Sequence, residues 1–85
     1  MDFAVIHTIK DAAAWDKAIA AAGESLPDGF SNPVFVVAED KTRAVCVWHA
    51  PDSRTLQAAL DQDLGEAAVN DVFPVNVMRL GANAS

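Results

Sequence analysis

Residues 3–9 (FAVIHTI) decide the fold, because this run is apolar on both faces of the strand that it predicts. Three further runs share that character: residues 34–38 (VFVVA), 44–48 (AVCVW) and 75–80 (VNVMRL). A half-solvated strand alternates apolar and polar residues, and these runs mostly do not. They predict four strands of a sheet that is covered on both sides.

The first helix is predicted directly after the first strand. Asp11 stands at the position of an N-cap, ahead of an alanine-rich run of high helix propensity, and Gly23 ends that run. Four residues spaced as on one helical face form its apolar stripe: Trp15, Ala18, Ile19 and Ala22. Residues 24–33 (ESLPDGFSNP) then predict a loop, because they are dense in Pro, Gly, Asp, Asn and Ser.

The second helix follows a predicted hairpin. Residues 39–42 (EDKT) form the polar turn between the second and third strands. Pro51 ends the third strand, and either Asp52 or Ser53 caps the helix that comes next. Its buried stripe consists of Leu56, Ala59, Leu60 and Leu64. Gly65 ends or kinks the helix, residues 66–73 are compatible with one further helical turn, and Pro74 introduces the fourth strand.

The order β-α-β-β-α-β predicts one α+β domain over residues 1–85. By analogy with the ferredoxin-like fold, the four-stranded antiparallel sheet has the order 4-1-3-2 and carries both helices on one face. The other face would then expose valine, phenylalanine and tryptophan to water, which soluble proteins rarely do. We therefore expect a homodimer in which two sheets pack face to face, with any pocket between them.

The acidic composition argues against several classes of partner. The formal net charge is −6 and the six Lys and Arg residues are scattered, which is unsuited to nucleic acid or to an anionic membrane surface. No run approaches the roughly 20 apolar residues of a membrane span, and the N-terminus lacks the features of a signal peptide. These observations predict a cytoplasmic protein. The single cysteine, Cys46, excludes an internal disulfide and is expected to be a small buried residue.

His7 is the strongest candidate for chemistry. It lies inside the first strand, and the two-residue period places it with Phe3, Val5 and Ile9. Its unperturbed pKa of about 6.5 suits a general base at neutral pH. If that face lines the cavity between the sheets, His7 is a lone base in an apolar pocket. If it faces the helices, His7 is a core histidine bonded to a backbone carbonyl.

Four further residues are candidates for contact with a ligand: Arg43, Trp48, His49 and Asn76. Arg43 could bind a carboxylate or phenolate, and Trp48 could form the flat wall of an aromatic site. Each also has a structural interpretation, as a surface ion pair, core packing or a solvated strand end. Arg79 either lines the cavity or marks an exposed edge strand. His7 and His49 should lie roughly 13 Å apart along the strands, so no metal site is expected.

Two segments carry a resemblance to a known family. Residues 5–11 (VIHTIKD), followed by Trp15, and residues 63–67 (DLGEA) leading to Pro74 resemble small dimeric α/β-barrel proteins, those described as antibiotic-biosynthesis monooxygenase-like or polyketide-cyclase-like. The resemblance implies two sheets packed face to face. In some members the cavity serves cofactor-free oxygenation, isomerisation or cyclisation of aromatic or polyketide substrates. His7 alone carries over as a candidate catalytic residue.

Two functions therefore compete. In the first, a cofactor-free enzyme uses His7 to remove a proton from a flat, mostly apolar substrate that Arg43, Trp48 or Asn76 orients. In the second, the same homodimer is a non-catalytic ligand-binding or regulatory module, and mutating His7 costs stability and little else. Haem binding through His7 or His49 is a third hypothesis, which would require a large cavity; the first two need no cofactor.

Overall fold

The computed structural model describes residues 1–22 and 28–78. Its strands are Asp2–Ile9 (β1), Ser31–Val37 (β2), Arg43–His49 (β3) and Ala68–Val75 (β4), and its helices are Ala12–Ala22 (α1) and Ser53–Leu64 (α2). The strands form one antiparallel sheet of order β2-β3-β1-β4, which is the predicted order 4-1-3-2 viewed from its other edge. The predicted ferredoxin-like α+β fold is confirmed.

The core lies between the helices and one face of the sheet. Alternation along β1 and β3 turns every second side chain toward the helices, which cover them. The most completely buried large side chains there are Trp15, Phe3, Leu56, His7, Val5 and Cys46. Of the predicted α2 stripe, Leu56, Leu60 and Leu64 are buried, whereas Ala59 is half-buried.

Both helices begin where the sequence predicts. The Asp11 carboxylate accepts a hydrogen bond from the Ala14 N–H at 3.0 Å. Asp52, not Ser53, is the N-cap of α2, and its carboxylate accepts from the Thr55 N–H at 2.7 Å. Such caps satisfy N–H groups that have no partner within the helix.

The β2–β3 hairpin forms across the predicted polar turn. Lys41 adopts a φ of 58°, and its N–H donates to the carbonyl of Ala38 at 2.9 Å. Strand β2 begins at Ser31, earlier than predicted, and its pairing with β3 is irregular between Ser31 and Val34, around Pro33. Gly23, residues 24–27, Arg79 and Leu80, all part of the sequence predictions, lie outside the described residues.

The position of β4 corrects the sequence prediction. The strand spans Ala68–Val75 and not residues 75–80, and Pro74 lies inside it instead of before it. Pro74 pairs with Phe3 at the outer edge of the sheet, where a missing N–H is tolerated. The pattern was hidden because β4 turns a polar residue, Asn70, toward the core and exposes Val69 on the opposite face.

Neither helix in the described part of the chain is long and apolar enough to cross a membrane.

Candidate functional site

His7 lies on the helix-covered face of β1 and is 1% exposed. Its ring centroid is 5.1 Å from that of Trp15, on α1. Of the two orientations that the sequence left open, the structure therefore has the one that faces the helices. The expected backbone carbonyl partner is wrong, because both ring nitrogens meet side chains instead, those of Asn70 and Cys46.

The hydrogen bonds of the ring define its tautomer. His7 Nδ1 is 2.7 Å from Asn70 Oδ1, an oxygen that can only accept, so Nδ1 carries the proton. His7 Nε2 lies 3.0 Å from Cys46 Sγ and accepts from the thiol. Trp48 Nε1 donates to the same sulfur at 3.0 Å. Every buried polar side-chain atom in this part of the molecule has a partner.

The network continues from Asn70 to the surface of α2. Asn70 Nδ2 donates to the Asp61 carboxylate at 3.1 Å, which fixes the orientation of the Asn70 amide. Gln57 Nε2 donates to Asp61 at 3.0 Å and to the Asn70 carbonyl at 2.9 Å. Sequence reasoning missed the parts that Asn70 and Asp61 play in this network. The sequence signal that could have indicated this network is Asn70 itself, a single amide side chain within a mostly apolar run.

Burial favours the neutral forms of His7 and Cys46, the two titratable groups at the centre of this network. Burial lowers the pKa of His7, and the hydrogen bond to Asn70 offsets part of that effect. Burial also raises the pKa of the Cys46 thiol to about 11, against a smaller opposing effect of the Trp48 hydrogen bond. A thiol nucleophile must ionise and be reached by its substrate. Cys46, His7 and Asn70 are linked in series by hydrogen bonds inside the core, where the thiol is buried and its raised pKa keeps it protonated at neutral pH.

The opposite face of the sheet carries no helix among the residues that the structure describes. The pairing registers arrange its side chains in four rows that run across the strands. We call this surface the open face. Its first row contains Arg43, Thr8 and Val69; the second, Val36, Val45, Ile6 and Asp71; the third, Val34, Val47, Ala4 and Phe73; the fourth, His49, Asp2 and Val75.

The two middle rows of the open face are apolar except for Asp71. Six apolar side chains of the open face are between 37% and 56% exposed: Ile6, Val34, Val36, Val45, Val69 and Phe73. These side chains are contiguous across all four strands, so together they form one apolar surface and not isolated exposed residues.

The predicted ligand-binding residues are not brought together. Arg43 and His49 lie at opposite ends of β3, on the open face, and Trp48 lies half-buried on the helix-covered face. His49 pairs with the Asp2 carboxylate at 3.0 Å, and Asn76 is exposed just beyond β4. His7 and His49 also lie on opposite faces. No group of three or more potential metal ligands occurs within residues 1–22 and 28–78.

Three open clefts lined by described residues lie away from the middle rows of the open face. One lies between α1 and α2, one lies beside α2 next to Asp61, and one lies at the end of the sheet near Met1 and Asn76. None reaches the His7 ring, which is enclosed by its partners.

No family model, curated protein or solved structure matches this chain. The resemblance to dimeric α/β-barrel proteins therefore stays a prediction, and function must be argued from the residues of this chain.

Proposed function

We propose that this chain is a homodimeric binding module of the cytoplasm, in which the open faces of two copies pack together and hold a small apolar or aromatic molecule between them. The observation that supports it most strongly is the contiguous apolar surface of the two middle rows. A second copy covers such a surface with a matching one, because a two-fold interface uses the same patch on both subunits.

The size of the open face is adequate for this role. With strands about 4.8 Å apart and same-face residues about 6.8 Å apart, four strands and four rows cover roughly 500 Å² on each subunit. Two such faces together approach the ~1,000 Å² that a specific interface should bury. The dimer is thus expected at micromolar protein, with affinity that depends on how well the middle rows interdigitate.

Ala4 marks the place where a ligand would fit. It is the smallest side chain of the third row and lies between Val47 and Phe73 on the neighbouring strands. Opposed copies leave space above Ala4, and the Phe73 ring supplies an apolar wall of the kind that holds flat aromatic molecules.

The non-catalytic form of the hypothesis is favoured by the placement of His7. The catalytic hypothesis placed the His7 ring in the cavity between the sheets, and the ring lies on the other side of the sheet. In the two middle rows Asp71 is the one ionisable side chain. His7 is therefore assigned to stability and not to proton transfer.

Sedimentation velocity tests the dimer. The wild-type chain should sediment as a dimer at micromolar concentration, and Val45→Lys, in the centre of the open face, should sediment as a monomer. Ala20→Lys is the matched control, because it adds the same charge at an exposed position of α1. A wild-type chain that sediments as a monomer would contradict the proposal.

Fluorescence titration with 1-anilinonaphthalene-8-sulfonate tests the cavity. We expect saturable binding of one or two dye molecules per dimer, weakened by Ala4→Leu, which fills the space, and retained in His7→Gln. Equal dye binding in wild-type, Ala4→Leu and monomeric Val45→Lys protein would show that no cavity forms between the sheets.

A further inference from the structure

Arg43 and Asp71 carry opposite charges on the open face, and we infer that Arg43 of each subunit pairs with Asp71 of the second copy and thereby sets how the two sheets cross. This inference rests on the proposed homodimer. It adds a specific contact, formed twice, that aligns two otherwise smooth apolar surfaces.

Asp71 requires a partner once the open face is covered. Its carboxylate is exposed, and it ends the second row directly beside Ile6. In the described part of the chain Lys41 forms an ion pair with Asp16 and His49 contacts the Asp2 carboxylate, so neither contact involves Asp71. Covering a carboxylate with apolar surface is costly unless a cation and hydrogen bonds compensate it.

Arg43 is the basic residue best placed to neutralise the Asp71 carboxylate in the dimer. It is exposed on the first row, and a guanidinium can bind a carboxylate through two parallel hydrogen bonds. Two neighbouring lysines are already engaged: Lys10 donates to the Gly65 carbonyl at 2.9 Å, and Lys41 donates to Asp16 at 2.9 Å. Asp40, the acid nearest to Arg43 in sequence, is held by two hydrogen bonds from Thr42.

The two charged positions are too far apart to pair within one subunit. Asp71 lies two strands and one row from Arg43, which is roughly 12 Å on a flat lattice of strands. The perpendicular bisector of the segment that joins Arg43 and Asp71 runs through the middle rows of the open face. It passes between Val45 and Ile6. A two-fold axis along that line exchanges the positions, so both ion pairs form at once and the strands of the two sheets cross at roughly 70°.

Charge reversal tests the pairing. Arg43→Asp and Asp71→Arg should each raise the dimer dissociation constant by about tenfold or more, because each homodimer then opposes like charges twice. An equimolar mixture of the two variants should form a heterodimer within about threefold of wild-type affinity, since both of its contacts are again attractive. Net charge does not explain that preference: each substitution changes the formal charge of −6 by two units, so both chains stay acidic.

Asp63→Arg is the matched control, because it makes the same charge change at an exposed position of α2. Mixed with Arg43→Asp it should give no preferred heterodimer. If the wild-type chain dimerises and Asp71→Arg dimerises equally well, the pairing is refuted and the proposed function stands. If the wild-type chain is monomeric, both are refuted.

Discussion

At the scale of single residues, His7 shows what a sequence pattern can and cannot determine. The two-residue period correctly grouped His7 with Phe3 and Val5 on one face of β1. It could not tell which face the helices cover, because both faces of this strand are apolar. That choice depends on long-range partners, above all Asn70, which is 63 residues away in sequence.

The burial of His7 predicts a pH-dependent stability. Since burial lowers the pKa of this ring below its ordinary value of 6.5, the unfolded chain binds a proton where the folded chain does not. With respect to this group, the free energy of unfolding should be highest above about pH 6.5. As the pH decreases from there, the free energy of unfolding should decrease by at most about 1.4 kcal/mol per pH unit.

Urea unfolding measured at intervals from about pH 7.5 to pH 5 checks this expectation. His7→Gln should flatten the curve in that window. An equally steep decline in His7→Gln would show that another group is responsible.

Truncating the His7 ring should also reveal how much the network contributes. His7→Ala leaves the Asn70 side-chain oxygen without its donor and the Cys46 S–H without its acceptor inside the core, and should lower the free energy of unfolding by about 1–3 kcal/mol or more. Denaturant unfolding measures the loss. A variant as stable as the wild type would mean that water replaces the ring without cost.

At the scale of elements, the helices were predictable because each carries an apolar stripe and a capping residue, and the first three strands because each contains a short apolar run. The fourth strand was not, since Asn70 and Asp71 interrupt its apolar pattern and Pro74 was interpreted as a boundary. Asn70 belongs to the polar network in the core, and Asp71 belongs to the open face. A pattern that assumes an apolar interior misses such a strand.

The cap of α2 gives a prediction for this scale. Asp52→Ala removes the acceptor of the Thr55 N–H and should lower the melting temperature by a few degrees, while Ser53→Ala should leave it nearly unchanged. Thermal unfolding followed by circular dichroism distinguishes the two residues that the sequence alone could not separate. Equal effects of the two substitutions would contradict the observed cap.

At the scale of the whole molecule, the fold was predictable from the order of elements, but the candidate site was not. Arg43, Trp48, His49 and Asn76 were chosen by residue type, but Arg43 and His49 lie at opposite ends of β3, and Trp48 lies on its other face. Opposite ends of one strand, or opposite faces of one sheet, are distant in space however close in sequence.

Dimerisation should couple stability to protein concentration. If two copies unfold together, the melting temperature of the wild-type chain should rise with concentration, because association stabilises the folded state by mass action. Val45→Lys should melt at a lower temperature that does not depend on concentration. Scanning calorimetry across about a hundredfold range of concentration measures both, and a constant wild-type melting temperature would speak against the coupled dimer.

Both outermost strands, β2 and β4, contain a proline, Pro33 and Pro74 respectively. Proline has no N–H to offer an incoming strand, so neither rim of the sheet is a good template for fibril growth. The chain can thus expose a broad apolar surface without forming open-ended polymers through its edge strands. Association through that surface ends with the second subunit, because a two-fold interface occupies the same patch on both copies and leaves none of it free.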